Sequence, residues 1–272
     1  MAPRTVEKAG GMVLEKIRLE VEEHIGLITL HNPPRNVLDS QMQHEILAVC
    51  EYINQDDDIW VCILRSDLNT FCVGFDVHLF KQSVDERDVT NTQEIYYDGA
   101  LALYELRVPL ICAVHGHCLG GALCYAAGSD ITIAAEGAQF GIPEVNLCVT
   151  GGSGHLARMV PPQVMRNMAY TGKFISAEEL FGYGGLTMVV PPEELMEAAL
   201  AKARELCAKG PLILRYFKAS MNRQEDFQMR RKNDLEVTYT RYMARHDDFR
   251  EALQSFLEKR RPSFSGAGAV KK

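Results

Sequence analysis

Three short apolar runs constrain this chain more than any other feature: IWVCILRS at 59–66, LICAV at 110–114 and ITIAAE at 131–136. Each is too short for a membrane span and reads as a buried strand. Between and before them lie helix-like stretches, one at 94–106 that ends before Pro109 and another that starts near Gly120. Strand and helix in alternation argue for an α/β core.

Upstream, MVLEKIRLEVEEHIGLITL at 12–30 holds two β-prone runs broken at Glu22 to Gly26, the pattern of a hairpin. The prolines of HNPPRNVLD oppose regular pairing. From Ser40, a plausible N-cap, Met42, Ile46, Val49 and Ile53 recur at helical spacing. After residue 165 helical patterns dominate, at 176–182, 192–209, 211–223 and 227–258, with a short LTMVV strand among them. The expected organisation is a flexible N-terminus over 1–11, an α/β core over 12–200, a helical region over 201–264 and a flexible tail over 265–272.

The 272 residues, 47% of them hydrophobic, are enough for a substantial core. With 36 acidic against 29 basic side chains the net charge is −7, which opposes non-specific nucleic-acid binding but leaves local basic clusters free to hold a phosphorylated ligand. None of the eight cysteines forms a C-x-x-C pair, and several sit in apolar runs, so they read as reduced, packed thiols. His115 and His117 flank Gly116 without a third ligand, and no metal site is expected. The first dozen residues lack the apolar run of a signal peptide, and no stretch of about eighteen apolar residues suits a membrane span. A cytoplasmic protein without a membrane partner is the expectation.

Two glycine turns follow strand-like runs: CVGFD at 72–76 and HCLGGALC at 117–124. Backbone N–H groups at a helix start lack partners, and glycine lets a ligand approach them. Two such donors converging on a carbonyl, from Phe75 and from the Gly120–Gly121 turn, would form an oxyanion hole for an enolate. Glu144 follows a proline in the apolar stretch FGIPEVNL, where a carboxylate gains proton affinity and suits proton transfer; a plain surface glutamate is the competing reading. Ser153 and His155 in GGSGH invite a hydrolase reading, but the stretch does not complete G-x-S-x-G. Cys124 reads as a small packed thiol or as a nucleophile near a helix start.

In order, NPPRNVLD, TFCVGFDV, AVHGHCLGGALC, AAEGAQFGIPEV, GGSGHLARMV, TGKFISAEEL and FREALQSFLEKRRPSF resemble the crotonase family, the enoyl-CoA hydratases and isomerases, from about residue 13 to 264. The resemblance implies a β-β-α spiral α/β core over 12–200, a C-terminal helical subdomain that makes trimers over 201–264, and a homotrimer or dimer of trimers. It implies an acyl-CoA substrate, with coenzyme A as part of the substrate and no separate cofactor. The oxyanion donors would be the N–H groups of Phe75 and Gly121, and Glu144 would be the catalytic acid and base. Coenzyme contacts would come from Arg35, Val37, Asp76 and Val77, on loops running to Leu38 and Leu79, and Phe256 and Lys259 would reach a coenzyme bound by a neighbouring subunit.

Three departures stand against that pattern. Hydratases of the family usually carry a second glutamate where this chain has Cys124, a common proline is Gly151 here, and a following glycine is His155. Gly152 keeps the position that helps place the reacting water. A single glutamate suits an isomerase that moves one proton between carbons, or a specialised enoyl- or dienoyl-CoA hydratase that recruits another group. NPPRNVLD is also somewhat reminiscent of members that act on cyclic dienoyl-CoA thioesters. A thioester hydrolase using Ser153 or Cys124, or a non-catalytic acyl-CoA-binding protein, are the alternatives.

Overall fold

The structure, a computed structural model, describes residues 3–78, 90–225 and 228–265. Its frame begins with the hairpin of β4 (Ile17–Glu22) and β5 (Ile25–Leu30), paired antiparallel from Ile17–Leu30 to Glu22–Ile25. The two turn residues, Glu23 and His24, hold φ of 49° and 68°, the left-handed backbone that matches strand twist in a two-residue hairpin. β4 alternates buried and exposed residues because only one of its faces meets the core.

Parallel strands continue the sheet: β6 (Val61–Ser66) beside β5, then β7 (Leu110–Val114), β9 (Ile131–Ala135) and β12 (Met188–Val190). With β1 (Arg4–Val6) on the outer edge of β4, the order among the described residues is β1-β4-β5-β6-β7-β9-β12. The apolar runs are continuous because both faces are covered. Val61, Ile63, Ile111 and Ala113 point to α7 (Leu195–Cys207), where Leu195, Ala199 and Ala203 meet them. Cys62, Leu64, Cys112 and Val114 point the other way, into the main core with α1 (Ser40–Gln55), α2 (Thr90–Tyr104) and α3 (Gly121–Gly128). All eight residues of α3 are buried, which is why it shows no polar stripe.

A second sheet places β10 (Gln139–Gly141) between β8 (His117–Leu119), parallel, and β11 (Ile175–Ser176), antiparallel. The short helices α4 (Ser153–Leu156), α5 (Pro162–Thr171) and α6 (Ala177–Gly182) follow the Glu144 segment. α8 (Pro211–Gln224) is anchored by Lys218, whose buried Nζ donates to the Val108 carbonyl at 3.1 Å and to Asp130 Oδ2 at 2.7 Å. α9 (Met229–Met243) and α10 (Asp247–Leu257) are the last helices among the described residues.

Several expectations change. The N-terminus expected to be flexible over 1–11 is structured from Arg4: β1 pairs with β4 through Val6–Leu19, and β2 (Lys8–Ala9) pairs with β3 (Met12–Val13). Buried Val6 and Ala9 give that segment its apolar anchors. The N-cap of α1 is Asp39, which accepts the Met42 N–H at 3.0 Å; its carboxylate competes successfully with the neighbouring Ser40 hydroxyl. α7 runs through the boundary expected at 200, since its small-residue stripe covers the sheet. The single helix expected over 227–258 is two, α9 and α10, and the turn between them folds Phe249 and Leu253 back onto Val149. The polar stretch at 81–94 lies in large part, and the tail beyond Ser265 wholly, outside the described residues.

Candidate active site

Missing side chains shape the site. Gly120, between β8 and α3, has φ 58° and ψ −127°, backbone that only glycine adopts without strain. A Cβ there would lie 2.6 Å from Glu144 Oε1. Gly74 has φ 92°, and its Cβ would lie 2.8 Å from the Leu119 carbonyl and 3.5 Å from the Gly121 nitrogen. The two glycine turns therefore touch, and the carboxylate closes against them.

Gly121 opens α3, so its N–H has no acceptor within the helix and sits at the positive end of the helix dipole. The Phe75 segment is laced to the proline loop: Leu38 N–H donates to the Gly74 carbonyl at 2.8 Å and Asp76 N–H to the Leu38 carbonyl at 3.1 Å. That pairing leaves the Phe75 amide on the opposite edge of its segment from Leu38. The proline loop is itself held by Asn36, whose side chain accepts from Asn32 N–H at 2.7 Å and donates to Ser66 Oγ at 2.7 Å and the Phe71 carbonyl at 2.8 Å.

Glu144 lies in a 3-10 turn, Pro143–Leu147. The residue as a whole is partly buried, but Oε2 is fully enclosed and has no hydrogen-bond partner. Burial pushes the carboxyl up to about 8, opposed by its own backbone N–H and assisted by nearby Glu236. An acid that titrates near neutrality both takes and returns a proton.

Around it lies a cavity of roughly 150 Å³, walled largely by Val73, Phe75, Val77, Leu147, Val149 and Phe256. Gly121, Cys124 and Gly152 share this wall, so most of the anticipated site converges. Arg35 is exposed and Val37 half-buried on the proline loop beside it; Asp76 accepts the His78 N–H at 2.9 Å. Leu79 lies outside the described residues. Phe256 lines the cavity and is also 53% exposed, on α10, which packs its Phe249 and Leu253 beside Phe75 and Val77. Lys259, with φ 54° just past that helix, is exposed and does not line the cavity.

Two anticipated groups behave differently from an active nucleophile. Cys124 is 3% exposed, and burial, then Glu236 and Glu144, push its thiol well up, so it stays a neutral thiol despite its place near a helix start. His155 is fully buried with neither ring nitrogen bonded among the described residues, and burial pushes it down to about 3. It stacks near Tyr97, with ring centroids 6.4 Å apart, and is not among the residues lining the cavity. Ser153 Oγ is bound to Glu236, not to His155. Among the described residues no group of three His, Cys, Asp or Glu side chains is disposed to hold a metal, and no helix is long and apolar enough to cross a membrane.

Sequence reasoning missed Glu236 and Tyr97. The Glu236 carboxylate, on α9, accepts the N–H groups of Gly152 at 3.0 Å, Ser153 at 2.9 Å and Gly154 at 3.2 Å. It also accepts the Tyr97 hydroxyl at 3.1 Å. The spacing of Asn233, Glu236, Val237 and Thr240, all buried, is the one local sign that Glu236 faces inward. Nothing local marks Tyr97.

A sequence profile described as enoyl-CoA hydratase/isomerase matches residues 20–267. The chain is 31% identical over 258 residues to crotonyl-CoA hydratase of Syntrophomonas wolfei, covering 93% of this chain and 99% of that one. It is 31% identical over 201 residues to a (7aS)-7a-methyl-1,5-dioxo-2,3,5,6,7,7a-hexahydro-1H-indene-carboxyl-CoA hydrolase of Mycobacterium tuberculosis, covering 74% of this chain and 81% of that one. Among solved structures, an enoyl-CoA hydratase/isomerase from Xanthobacter autotrophicus Py2 superposes with a TM-score of 0.79 at 27% identity, over 92% of this chain and 99% of that one. The α/β core with C-terminal helices is thus the crotonase fold.

Proposed function

The chain belongs to the enoyl-CoA hydratase/isomerase family, and on that premise we propose that it moves protons on an enoyl-CoA thioester through an enolate, with Glu144 as its one acid-base carboxylate. The observation that carries this reading is the Glu144 carboxyl, closed against Gly120 with an unpartnered buried oxygen and titrating near 8. The thioester carbonyl takes hydrogen bonds from the N–H groups of Gly121 and Phe75, and each such donor is worth on the order of 100-fold in rate. Glu144 removes or delivers the proton next to that carbonyl. Shifting the double bond and adding or removing water share this chemistry.

The proline loop and the Gly74–Asp76 segment, joined by the Leu38–Phe75 bridge, form the floor along which coenzyme A leaves the cavity. Arg35 offers an exposed guanidinium for its phosphates there. The exposed aromatic side chains Tyr170, Phe174, Phe181, Tyr183, Tyr216 and Phe217 support self-assembly into a trimer or a pair of trimers. Eight free thiols support a reducing, cytoplasmic setting. Thioester hydrolysis is the weaker reading, since among the described residues Cys124 is a neutral buried thiol and the Ser153 hydroxyl is bound to Glu236 rather than to His155.

Incubating the protein in heavy water with 2-enoyl-, 3-enoyl- and cyclic dienoyl-CoA thioesters tests the reading by product mass. A deuterium gain or a gain of water is the expected outcome. Release of free coenzyme A alone, or complete inertness with retained coenzyme binding, contradicts it.

A further inference from the structure

Three positions where the chain leaves its family's pattern, Cys124, Gly151 and His155, surround one side chain. Tyr97 is 8% exposed and lines the cavity beside Cys124. A Cβ on Gly151 would lie 2.8 Å from its hydroxyl and 3.7 Å from Glu144 Cγ, so the phenol and the arm of Glu144 meet at a glycine that leaves them room. His155 backs the ring at an interplanar angle of 17°. The phenol O–H donates a hydrogen bond of 3.1 Å to Glu236, which leaves the lone pairs of the phenol oxygen for a donor in the cavity.

We propose that Tyr97, aimed by Glu236, binds the reacting water in place of the carboxylate absent at Cys124, so that this site adds or removes water. The inference rests on the Glu144 reading. In the hydration direction, one water hydrogen bonds to the Tyr97 oxygen, and the other proton passes to the Glu144 carboxylate as the water oxygen forms a bond to C3 of a 2-enoyl thioester. The π pair of C2=C3 shifts toward the carbonyl oxygen, which becomes the enolate oxygen at the Gly121 N–H. Glu144 then returns its proton to C2 and the carbonyl re-forms. Hydrogen and hydroxyl have been added across the double bond, Glu144 is a carboxylate again, and Tyr97 has kept its proton. Burial, with Glu236 beside it, holds the phenol well above its ordinary value and so neutral throughout.

The test compares two rates for Tyr97→Phe: hydration of the 2-enoyl-CoA that turns over fastest, and exchange of the C2 proton of its saturated analogue in heavy water, which needs Glu144 but no attacking water. Hydration is expected to fall at least about tenfold more than exchange, the scale of one hydrogen bond lost at the transition state. Gly151→Ala, whose methyl would press on the phenol at 2.8 Å, is expected to give the same selective loss. The thermal midpoint of each variant, read alongside, identifies any loss that comes from unfolding. Equal losses in both rates, or none, overturn the role of Tyr97. A wild-type protein that shifts a double bond without ever adding water also overturns it while leaving Glu144 in place, whereas absence of exchange in the wild type removes the Glu144 reading itself.

Discussion

Two carboxylates lie close enough to feel one another's charge, Glu144 on the cavity wall and Glu236 behind it, and they are treated in opposite ways. Glu144, on a 3-10 turn beside the glycine-shaped strand end, keeps one oxygen buried without a partner. Glu236, on α9, accepts from three backbone N–H groups and two hydroxyls. A buried carboxylate with every lone pair engaged holds structure, and one left unsatisfied holds a proton that can move. The difference separates a reacting group from a positioning group without reference to where either lies in the chain.

The sharpest way to break that contrast is to neutralise each carboxylate. Glu144→Gln is expected to lower turnover by on the order of 1,000-fold, within the span of general acid-base catalysis, read as kcat on the preferred thioester. The same variant should be more stable than the wild type at pH 8. Folded Glu144 titrates near 8 against an ordinary 4.5, so the native state holds a proton that the unfolded chain releases. Its contribution therefore worsens as pH rises through that window, by up to about 1.4 kcal/mol per pH unit, and denaturant titrations at pH 5 and pH 8 check the sign.

Glu236→Ala should act on stability and, through the lost aim of Tyr97, on hydration. It leaves the Gly152, Ser153 and Gly154 N–H groups unbonded, at a cost of about 3 kcal/mol in chemical denaturation. If Glu236→Ala were the stabilising change and Glu144→Gln the destabilising one, the contrast would be reversed. Gly120→Ala is expected to cost about 2 kcal/mol for a Cβ in the positive-φ region, and it also lowers turnover by crowding Glu144 Oε1. Cys124→Ala should be the mildest, under about 1 kcal/mol and within a few-fold in rate, because its thiol only packs. A large rate loss there would return Cys124 to the chemistry.

The same contrast explains what could be read from sequence. The hairpin, the buried parallel strands and the two glycine turns announce themselves through local signals: period, apolar runs and backbone that only glycine accepts. Glu144 was legible because its own neighbours are apolar. Glu236 and Tyr97 are separated by 139 residues and meet only in the folded chain, so no local pattern marks the pair. Val6 became an anchor through pairing with β4, which a polar-looking N-terminus conceals. The N-cap moved by one residue because Asp39 and Ser40 are both competent caps and only the approach of the Met42 N–H distinguishes them.

The central claim, that one buried carboxylate titrating near neutrality carries the proton, is tested most directly by the pH profile of C2-proton exchange with a saturated acyl-CoA in heavy water. Exchange needs Glu144 as a carboxylate, so log kcat/KM should rise with unit slope and level off near pH 8, allowing for the isotope shift of the pH scale, and Glu144→Gln should abolish it. A profile flat from pH 5 to pH 9, or exchange that survives Glu144→Gln, would contradict the account.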